Sequence, residues 1–325
     1  ATGIYAQNGT VSPYSFFGIG DLRSVGTVEN QMMGGLSMFT DSIHVNLRNP
    51  AAYGKLRLTT YTAALSHKEI GLKTTADQQN SSVTNLEYLA LGFPVGQRMG
   101  IGFGIMPFSS KGYTLLEESV NNNGSNVVNE YSGDGGLDQL YVSAGFQLAS
   151  NLHIGATVNF NFGTLNNNRV QSVEDVQLGT LDRRESRVSG FDFNYGATYT
   201  PNISDKLTLY TAVSVNTQAN LVSENTQTIG AFSRTTGRDI EVFEVDLDSQ
   251  GRKNTEIKIP TTATVGLGVG EDKKWFLGAE YSMQELSTFE NQFITYENLE
   301  YQDASTISVG GYWVPDYSSF SSYLN

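Results

Sequence analysis

The sequence predicts an all-β protein, a transmembrane antiparallel β-barrel of the outer membrane. Charged residues make up only 16% of the 325 positions, whereas soluble domains average about 25%. From residue 55 onward, apolar and polar residues alternate with the period of two that is typical of β-strands. The connections between these runs are long and short in turn, as in membrane barrels.

The composition excludes several kinds of site. The chain has no Cys, which rules out disulfides, thiol nucleophiles and thiolate metal ligands. Its three His residues are scattered along the chain, and we therefore predict no metal site and no cofactor. A net charge of −13 argues against nucleic acid as a partner, because phosphate binding requires a basic surface.

The N-terminal residues up to 54 do not alternate. Residues 1–7 resemble the remnant of a secretory signal cleaved after Ala6; an ordinary flexible terminus is the alternative. Residues 8–54, which we call the hatch, contain too many apolar side chains for a disordered segment. A segment this long without regular structure is usually functional. We expect it to fill the lumen of the barrel as a plug; a small soluble subdomain is the alternative.

Ten alternating runs are predicted as strands of the barrel at 55–325. A tilted strand crosses a bilayer in about 9–11 residues, and each run is long enough. The runs are 55–67, 83–94, 98–112, 137–149, 151–163, 187–200, 205–219, 256–269, 274–286 and 302–314. The faces are consistent: in the run 137–149, Leu140 and Val142 share an apolar face opposite Gln139 and Ser143.

The connections distinguish a barrel from a soluble β-sandwich, which would also alternate. The short ones are 95–97, 150, 201–204 and 270–273, and the long ones are 68–82, 113–136, 164–186, 220–255 and 287–301. Short turns face the periplasm in outer-membrane barrels. Aromatic residues near the short turns fit an interfacial girdle; they are Phe93, Phe146, Tyr199, Trp275, Tyr312 and Trp313.

The third predicted strand has two special features. Gly100, Gly102 and Gly104 form a row on its lumen face, where another piece of chain can approach the wall closely; relief of strain in a curved sheet is the alternative. Pro107 follows in the same run. Because proline donates no ladder hydrogen bond, it predicts a kink or a local gap in the wall, unless the strand ends by Met106.

Several motifs resemble the long-chain fatty-acid transporter family of outer-membrane barrels, which is FadL-like and includes toluene transporters. The stretch Met33–Tyr53 has the family's Gly-Gly pair, an Asp, and then Asn49-Pro50-Ala51 before the first strand. The stretch from Ile259-Pro260 to Tyr281 resembles the family's Leu-Pro…Gly…Tyr hairpin. The opening from Ser12 to Leu22 resembles that of one branch of these barrels.

The resemblance implies a barrel of fourteen strands with a hatch in its lumen. It also implies uptake of hydrophobic ligands and their lateral release at a kinked third strand, where Pro107 lies. Since ten strands are predicted, four more would add on the order of 100 residues, and we expect the chain to be incomplete at its C-terminus. A complete barrel of ten strands is the alternative, with little room for a plug.

Two functions are predicted. The first is uptake of hydrophobic small molecules, such as long-chain fatty acids. For it we predict three groups of residues. An apolar hatch surface is formed by Phe16, Phe17, Met33, Met38 and Phe39, a wall gap lies at Gly102, Gly104 and Pro107, and the hatch is anchored by Asn49, Pro50 and Ala51. The second is a non-transporting subunit of an outer-membrane complex for secretion or protein insertion, with the 220–255 loop as a docking surface. The partners are then outer-membrane lipid, a hydrophobic ligand, or other outer-membrane or periplasmic proteins.

An enzyme is not predicted. A lipase would require a nucleophilic Ser beside a positioned His. Ser143 and His153 lie on neighbouring predicted strands, but nothing brings them into register, and no Gly-x-Ser-x-Gly elbow is present. The acidic stretch 239–248 lacks the spacing of a calcium loop.

Overall fold

The computed structural model describes residues 9–23, 25–73, 78–295 and 299–315. The predicted signal remnant at 1–7 lies outside these residues. The strands are β1 (Asp21–Leu22), β2 (Thr60–Lys73), β3 (Gln78–Val95), β4 (Met99–Val120), β5 (Asn126–Ala149), β6 (Leu152–Val173), β7 (Leu178–Tyr199), β8 (Thr208–Asn216), β9 (Ala219–Ser233), β10 (Asp239–Glu244), β11 (Asn254–Ile259), β12 (Thr262–Glu271), β13 (Trp275–Gln284), β14 (Glu290–Asn291) and β15 (Ala304–Trp313). Helix α1 is Val28–Met32, and 3-10 turns lie at Pro13–Phe16, Pro50–Lys55 and Leu286–Thr288. Among the described residues, no helix is long and apolar enough to cross a membrane.

The wall has ten antiparallel strand positions, which we call columns; a column holds either one strand or two shorter strands end to end. Strands β2 to β7 form six of them. Strands β8 and β9 together form the seventh, since β8 pairs with the C-terminal half of β7 and β9 with its N-terminal half. Strands β11 and β12, and then β13 and β14, form one column each, and β15 is the last. Pro260 separates β11 from β12, as expected of a residue that cannot donate to the ladder.

The faces of the wall are those of a membrane barrel. Along β5, Leu140 and Val142 are 46% and 58% exposed, whereas Gln139 and Ser143 are 4% and 3% exposed. Apolar side chains face outward and polar side chains are buried inside. This distribution is the reverse of that in a soluble protein and is typical of a barrel surrounded by lipid. The faces predicted for this strand are therefore confirmed.

The predictions of long loops at 68–82, 113–136, 164–186 and 220–255 are wrong, because strands occupy most of each stretch. Strand β4 continues to Val120, and β5 begins at Asn126. Only residues 174–177 join β6 to β7. Outside the membrane neither face of a strand needs to be apolar, so the alternating pattern ends while the ladder continues. The wall therefore extends beyond the membrane on the side formed by β4 to β7.

The core lies between the hatch and the inner wall. Val45, Leu47 and Tyr53 from the hatch pack with Tyr88 and Tyr141 from the wall. Two similar clusters bring hatch residues to other parts of the wall: Ile19 with Leu137, Leu165, Leu221 and Ile257, and Leu36 and Met38 with Tyr210 and Phe276. The hatch thus lies in the lumen, as predicted.

Candidate functional site

The predicted Asn-Pro-Ala motif lies directly against the inner wall. Asn49 is fully buried and caps the 3-10 turn Pro50–Lys55, accepting a hydrogen bond of 3.1 Å from the Ala51 N–H. Its side-chain amide also donates to the backbone oxygen of Val213 in β8 at 3.3 Å. The motif therefore joins the hatch to the barrel through the Asn49 side chain.

Glycines in the wall provide the space for this turn. A Cβ atom placed on Gly145 would lie 2.4 Å from the backbone nitrogen of Gly54, and one on Gly155 would lie 2.4 Å from the carbonyl carbon of Pro50. Cβ atoms do not approach other atoms this closely. Backbone of the hatch consequently contacts backbone of the wall, which only glycine permits.

A second attachment uses a wall carboxylate. Glu280 in β13 is 3% exposed and accepts hydrogen bonds from the Ser37 N–H at 2.6 Å, the Ser37 hydroxyl at 2.9 Å and the Met38 N–H at 2.7 Å. The guanidinium of Arg48, also in the hatch, lies 3.4 Å from its second oxygen. A charged acceptor with these donors forms strong hydrogen bonds.

Gly102 and Gly104 lie in the part of β4 that pairs with β3. A Cβ atom on Gly102 would lie 2.1 Å from the ring of Tyr53, and one on Gly104 would lie 2.8 Å from the ring of Tyr141. The two phenol oxygens are 3.3 Å apart, and burial raises the pKa of Tyr53 to about 12. Gly102 thus accommodates Tyr53 of the hatch, and Gly104 accommodates Tyr141 of the wall; both glycines lie in the paired part of β4, below the wall gap described next.

The wall has a gap between β3 and β4. Their pairing ends at Leu89 and Ile105, although both strands continue. Beyond this point β3 stays paired with β2, and β4 stays paired with β5. Pro107 lies at the mouth of the gap, and the register of β4 against β5 shifts between Pro107 and Ser109. The residue was predicted to mark a kink or gap, and it lies at one.

The hatch enters this gap. Strand β1 pairs with the free edge of β4 at Ser109 and Ser110. Arg23 follows β1: its N–H donates to the Phe108 oxygen at 3.0 Å, and its Nε donates to the Ser110 hydroxyl at 3.0 Å. Its guanidinium also lies 3.8 Å from the carboxylate of Glu87 in β3. Arg23 therefore contacts both sides of the gap.

Three cavities meet at Arg23. One of about 390 Å³ opens between the two sides of the gap, and one of about 690 Å³ lies between the hatch and β2 and β3. The third, of about 570 Å³, lies in the lumen and is lined by apolar residues such as Phe17, Leu47 and Phe108. Met106 lines both the lumen cavity and the gap cavity.

One side of the lumen cavity is polar. Gln139, Asn159 and Asn194 line it. Behind them Asp192, 1% exposed, accepts hydrogen bonds from the amides of Asn159 at 2.6 Å and Gln139 at 3.3 Å. A molecule in this cavity meets apolar rings on one side and amides on the other.

The predicted apolar hatch residues are divided between two environments. Met38 is fully buried, and Phe39 packs on Phe276 with ring centroids 5.1 Å apart. Met33 packs against the same cluster. Phe16 stacks edge-to-face on Tyr113 at 5.2 Å. Of the five predicted residues, Phe17, which is 41% exposed, lines the lumen cavity.

Sequence reasoning missed Glu280 and Arg23. Glu280 is a carboxylate on the lumen face of a strand whose other lumen residues include Gly278 and Ser282. The sequence feature that could have identified Glu280 is an isolated charge among small lumen residues, together with a possible partner, Arg48, in the hatch. Nothing in the sequence around Arg23 indicates its place in the gap.

The comparisons agree with this architecture. The profile of the BamG family matches residues 1–325, and no curated protein matches the chain. Similar solved structures are a FadL homologue of Pseudomonas aeruginosa (16% identity, 96% of this chain and 78% of that chain, TM-score 0.50), the toluene transporter TodX of Pseudomonas putida (16%, 91% and 81%, 0.57) and the CymD monoaromatic hydrocarbon channel (13%, 89% and 79%, 0.50).

These likenesses confirm the predicted FadL-like fold. At 13–16% identity they establish the fold alone. The family profile covers the whole length of the sequence, and so the chain belongs to the BamG family of outer-membrane β-barrels.

Proposed function

We propose that this barrel binds hydrophobic small molecules in its lumen and passes them sideways through the gap between β3 and β4. The observation that carries the proposal is the end of β3–β4 pairing at Leu89 and Ile105, where the lumen cavity and the gap cavity meet at Met106. A lateral exit suits a hydrophobic molecule, because the molecule then enters lipid without crossing water.

The lining of the lumen cavity supports this class of ligand. Binding pockets for small molecules are mostly apolar with a few polar groups that fix orientation. Phe17, Leu47 and Phe108 supply the apolar side, and Asn159 and Asn194 supply amides. The names of the similar structures, a toluene transporter and a monoaromatic hydrocarbon channel, agree with such ligands. A long-chain fatty acid is one candidate.

The test blocks the point where lumen and gap meet. Met106→Trp adds a ring there, and we expect binding of a fluorescent fatty-acid analogue and its transfer into liposomes to fall about tenfold. Phe103→Trp is the matched control, because Phe103 is 44% exposed on the lipid face of the same strand. Transfer that is equal in both variants would refute the route through the gap.

A second function is favoured by the family match. The match to the BamG family supports the alternative of an accessory subunit in a complex for protein insertion or secretion. The tall wall from β4 to β7 offers surface outside the membrane for such contacts. The test is purification from native membranes in mild detergent: partners at fixed stoichiometry are expected, and a solitary barrel would refute this role.

A further inference from the structure

Strand β10 presents an unpaired edge outside the membrane-crossing part of the wall. It pairs with β9 from Asp239–Phe232 to Glu244–Thr228. In the described part of the chain, no strand pairs with its other edge. All six of its residues are exposed. Strand β10 lies in the long connection between β9 and β11. In outer-membrane barrels the long connections face away from the periplasm.

The hydrogen-bonding groups on this free edge can be identified. The Val245 N–H donates to the Gln227 oxygen of the neighbouring column at 2.8 Å. Residues of an antiparallel pair alternate between bonded and non-bonded positions. Two residues earlier, Phe243 therefore also bonds to β9. Val242 and Glu244 direct their N–H and C=O groups away from β9, toward the open edge.

The side chains around this edge define its chemistry. Ile240 and Phe243 are 59% and 57% exposed. The stretch 239–248 has five carboxylates and no basic residue. Asp239 is held by the Arg183 guanidinium at 2.7 and 3.0 Å. The carboxylates at 241 and 244 form no ion pair among the described residues.

We propose that the free edge of β10 binds an extended segment of another protein by strand addition, and that this segment carries an apolar residue next to Lys or Arg at every third position. Main-chain hydrogen bonds give affinity in such complexes, and alternate side chains give specificity. Side chains of a strand alternate between its faces, so Glu241 and Phe243 share one face and Glu244 lies on the other. A repeat of three places an apolar side chain beside Ile240 and Phe243 and a cationic one beside each of these two carboxylates. A second copy of β10 is disfavoured because its carboxylates would repel these, and anionic lipid head groups are disfavoured for the same reason.

This inference rests on the accessory-subunit function and deepens it. Natural proteins protect exposed edges with charged side chains, so the carboxylates by themselves would be a protective device. What distinguishes β10 is that exposed apolar side chains accompany them on the same six residues. Within the stretch 220–255, which was predicted as a docking surface, we therefore place the contact with the partner at the free edge of β10.

A peptide binding assay tests the edge directly. The probe is a labelled peptide of eight residues with the repeat Val-Lys-Thr, added to the full chain in detergent. Val242→Pro removes one outward N–H without removing a bond to β9, and we expect about fivefold weaker binding, the share of one hydrogen bond. Val242→Thr keeps the N–H and is expected to bind like the parent. Undiminished binding to Val242→Pro, equal binding of a peptide with Glu in place of Lys, or no binding of the Lys-containing peptide would overturn the proposal.

Photo-crosslinking in cells separates this proposal from the subunit function. A photoreactive residue at position 243 of the full chain should capture a partner segment that contains Lys or Arg, and Glu241→Lys with Glu244→Lys should abolish the capture. Fixed partners without a crosslink at 243 would refute the β10 contact and leave the subunit function intact. Absence of both partners and crosslink would refute both.

Discussion

The carboxylate of Glu280 in the barrel wall accepts a hydrogen bond of 2.6 Å from the backbone N–H of Ser37 in the hatch. The two residues are 243 positions apart in sequence. Glu280 is 3% exposed and Ser37 is 1% exposed, so the bond lies out of contact with bulk water. A wall side chain thus binds the hatch backbone as an N-cap residue binds a helix terminus, and this contact fixes the middle of the hatch.

Removal of the Glu280 carboxylate should release the middle of the hatch. Glu280→Ala leaves two buried N–H groups and the Arg48 guanidinium without their acceptor, at a cost of about 3 kcal/mol. Amide exchange in the stretch 33–48 is expected to rise by roughly two orders of magnitude, while the barrel stays folded. Glu290→Ala, at an exposed carboxylate, is the control. Unchanged protection of the hatch in Glu280→Ala would contradict the account of this contact.

The close contact between Gly145 in the wall and Gly54 in the hatch gives a steric prediction. Gly145→Val places side-chain atoms where the backbone of Gly54 lies, and overpacking of this kind costs about 1–3 kcal/mol. We expect the turn Pro50–Lys55 to leave the wall, seen as protease cleavage at Lys55 in an otherwise folded barrel. Ala144→Val, on the exposed face of the same strand, is the matched control and should resist cleavage. Equal resistance of both variants would show that the turn does not depend on this space.

A pH-dependent contact lies in the hatch. His44 Nδ1 is 2.5 Å from the Asp41 carboxylate, and this hydrogen bond raises the pKa of His44 against the opposing effect of burial. Burial opposes the shift at Asp41 as well, but hydrogen bonds from His44 bring the pKa of its carboxyl below the usual value. The stabilisation from His44 is therefore complete below about pH 6.5 and is lost as pH rises through the higher folded value. The contribution from Asp41 is present above about pH 3.9 and is lost as pH falls below it.

An NMR titration of the His44 imidazole checks this pair. The parent protein should titrate above about 6.5, and Asp41→Asn should bring the value down toward it. A His44 titration that Asp41→Asn leaves unmoved would show that the carboxylate does not hold the imidazolium.

Arg23 should control how far the gap is closed. Arg23→Ala removes the contacts to Ser110 and Glu87 that connect the two sides. We expect β1 to detach, with amide exchange at Asp21–Leu22 rising about tenfold, as the loss of one charge-assisted hydrogen bond predicts. Arg57→Ala, which removes a guanidinium near the short-turn end, should leave this exchange as it is. If exchange at β1 stays constant in Arg23→Ala, another contact holds the hatch in the gap.

The transmembrane part of this fold could be predicted from sequence because lipid enforces alternation. Each of the ten predicted runs corresponds to a wall column, and the short turns fall where expected. The extensions of β4 and β5 could not be predicted, because strands outside the membrane have no obligatory apolar face. The same limit concealed β10, a strand with polar and apolar residues on both faces.

The site was only partly predictable for a related reason. Asn49 could be found because a short motif places it before the first strand, and its contact with Ala51 is local to that motif. Its contact with Val213, 164 positions away in sequence, could not be predicted. Met38 was predicted as ligand surface from its apolar character, but its burial depends on Tyr210 and Phe276, far away in sequence. Contacts between hatch and wall depend on which column faces which residue, and alternation gives no information about that.

The most direct test of the central claim is extraction and mass spectrometry of the molecules that the purified, detergent-exchanged full-length protein retains. The account predicts a hydrophobic molecule at near-stoichiometric amount, retained by Phe103→Trp and lost from Met106→Trp. An empty lumen in the parent protein, with no displacement by added fatty acid or toluene, would contradict transport through the gap and leave the accessory-subunit role as the remaining function.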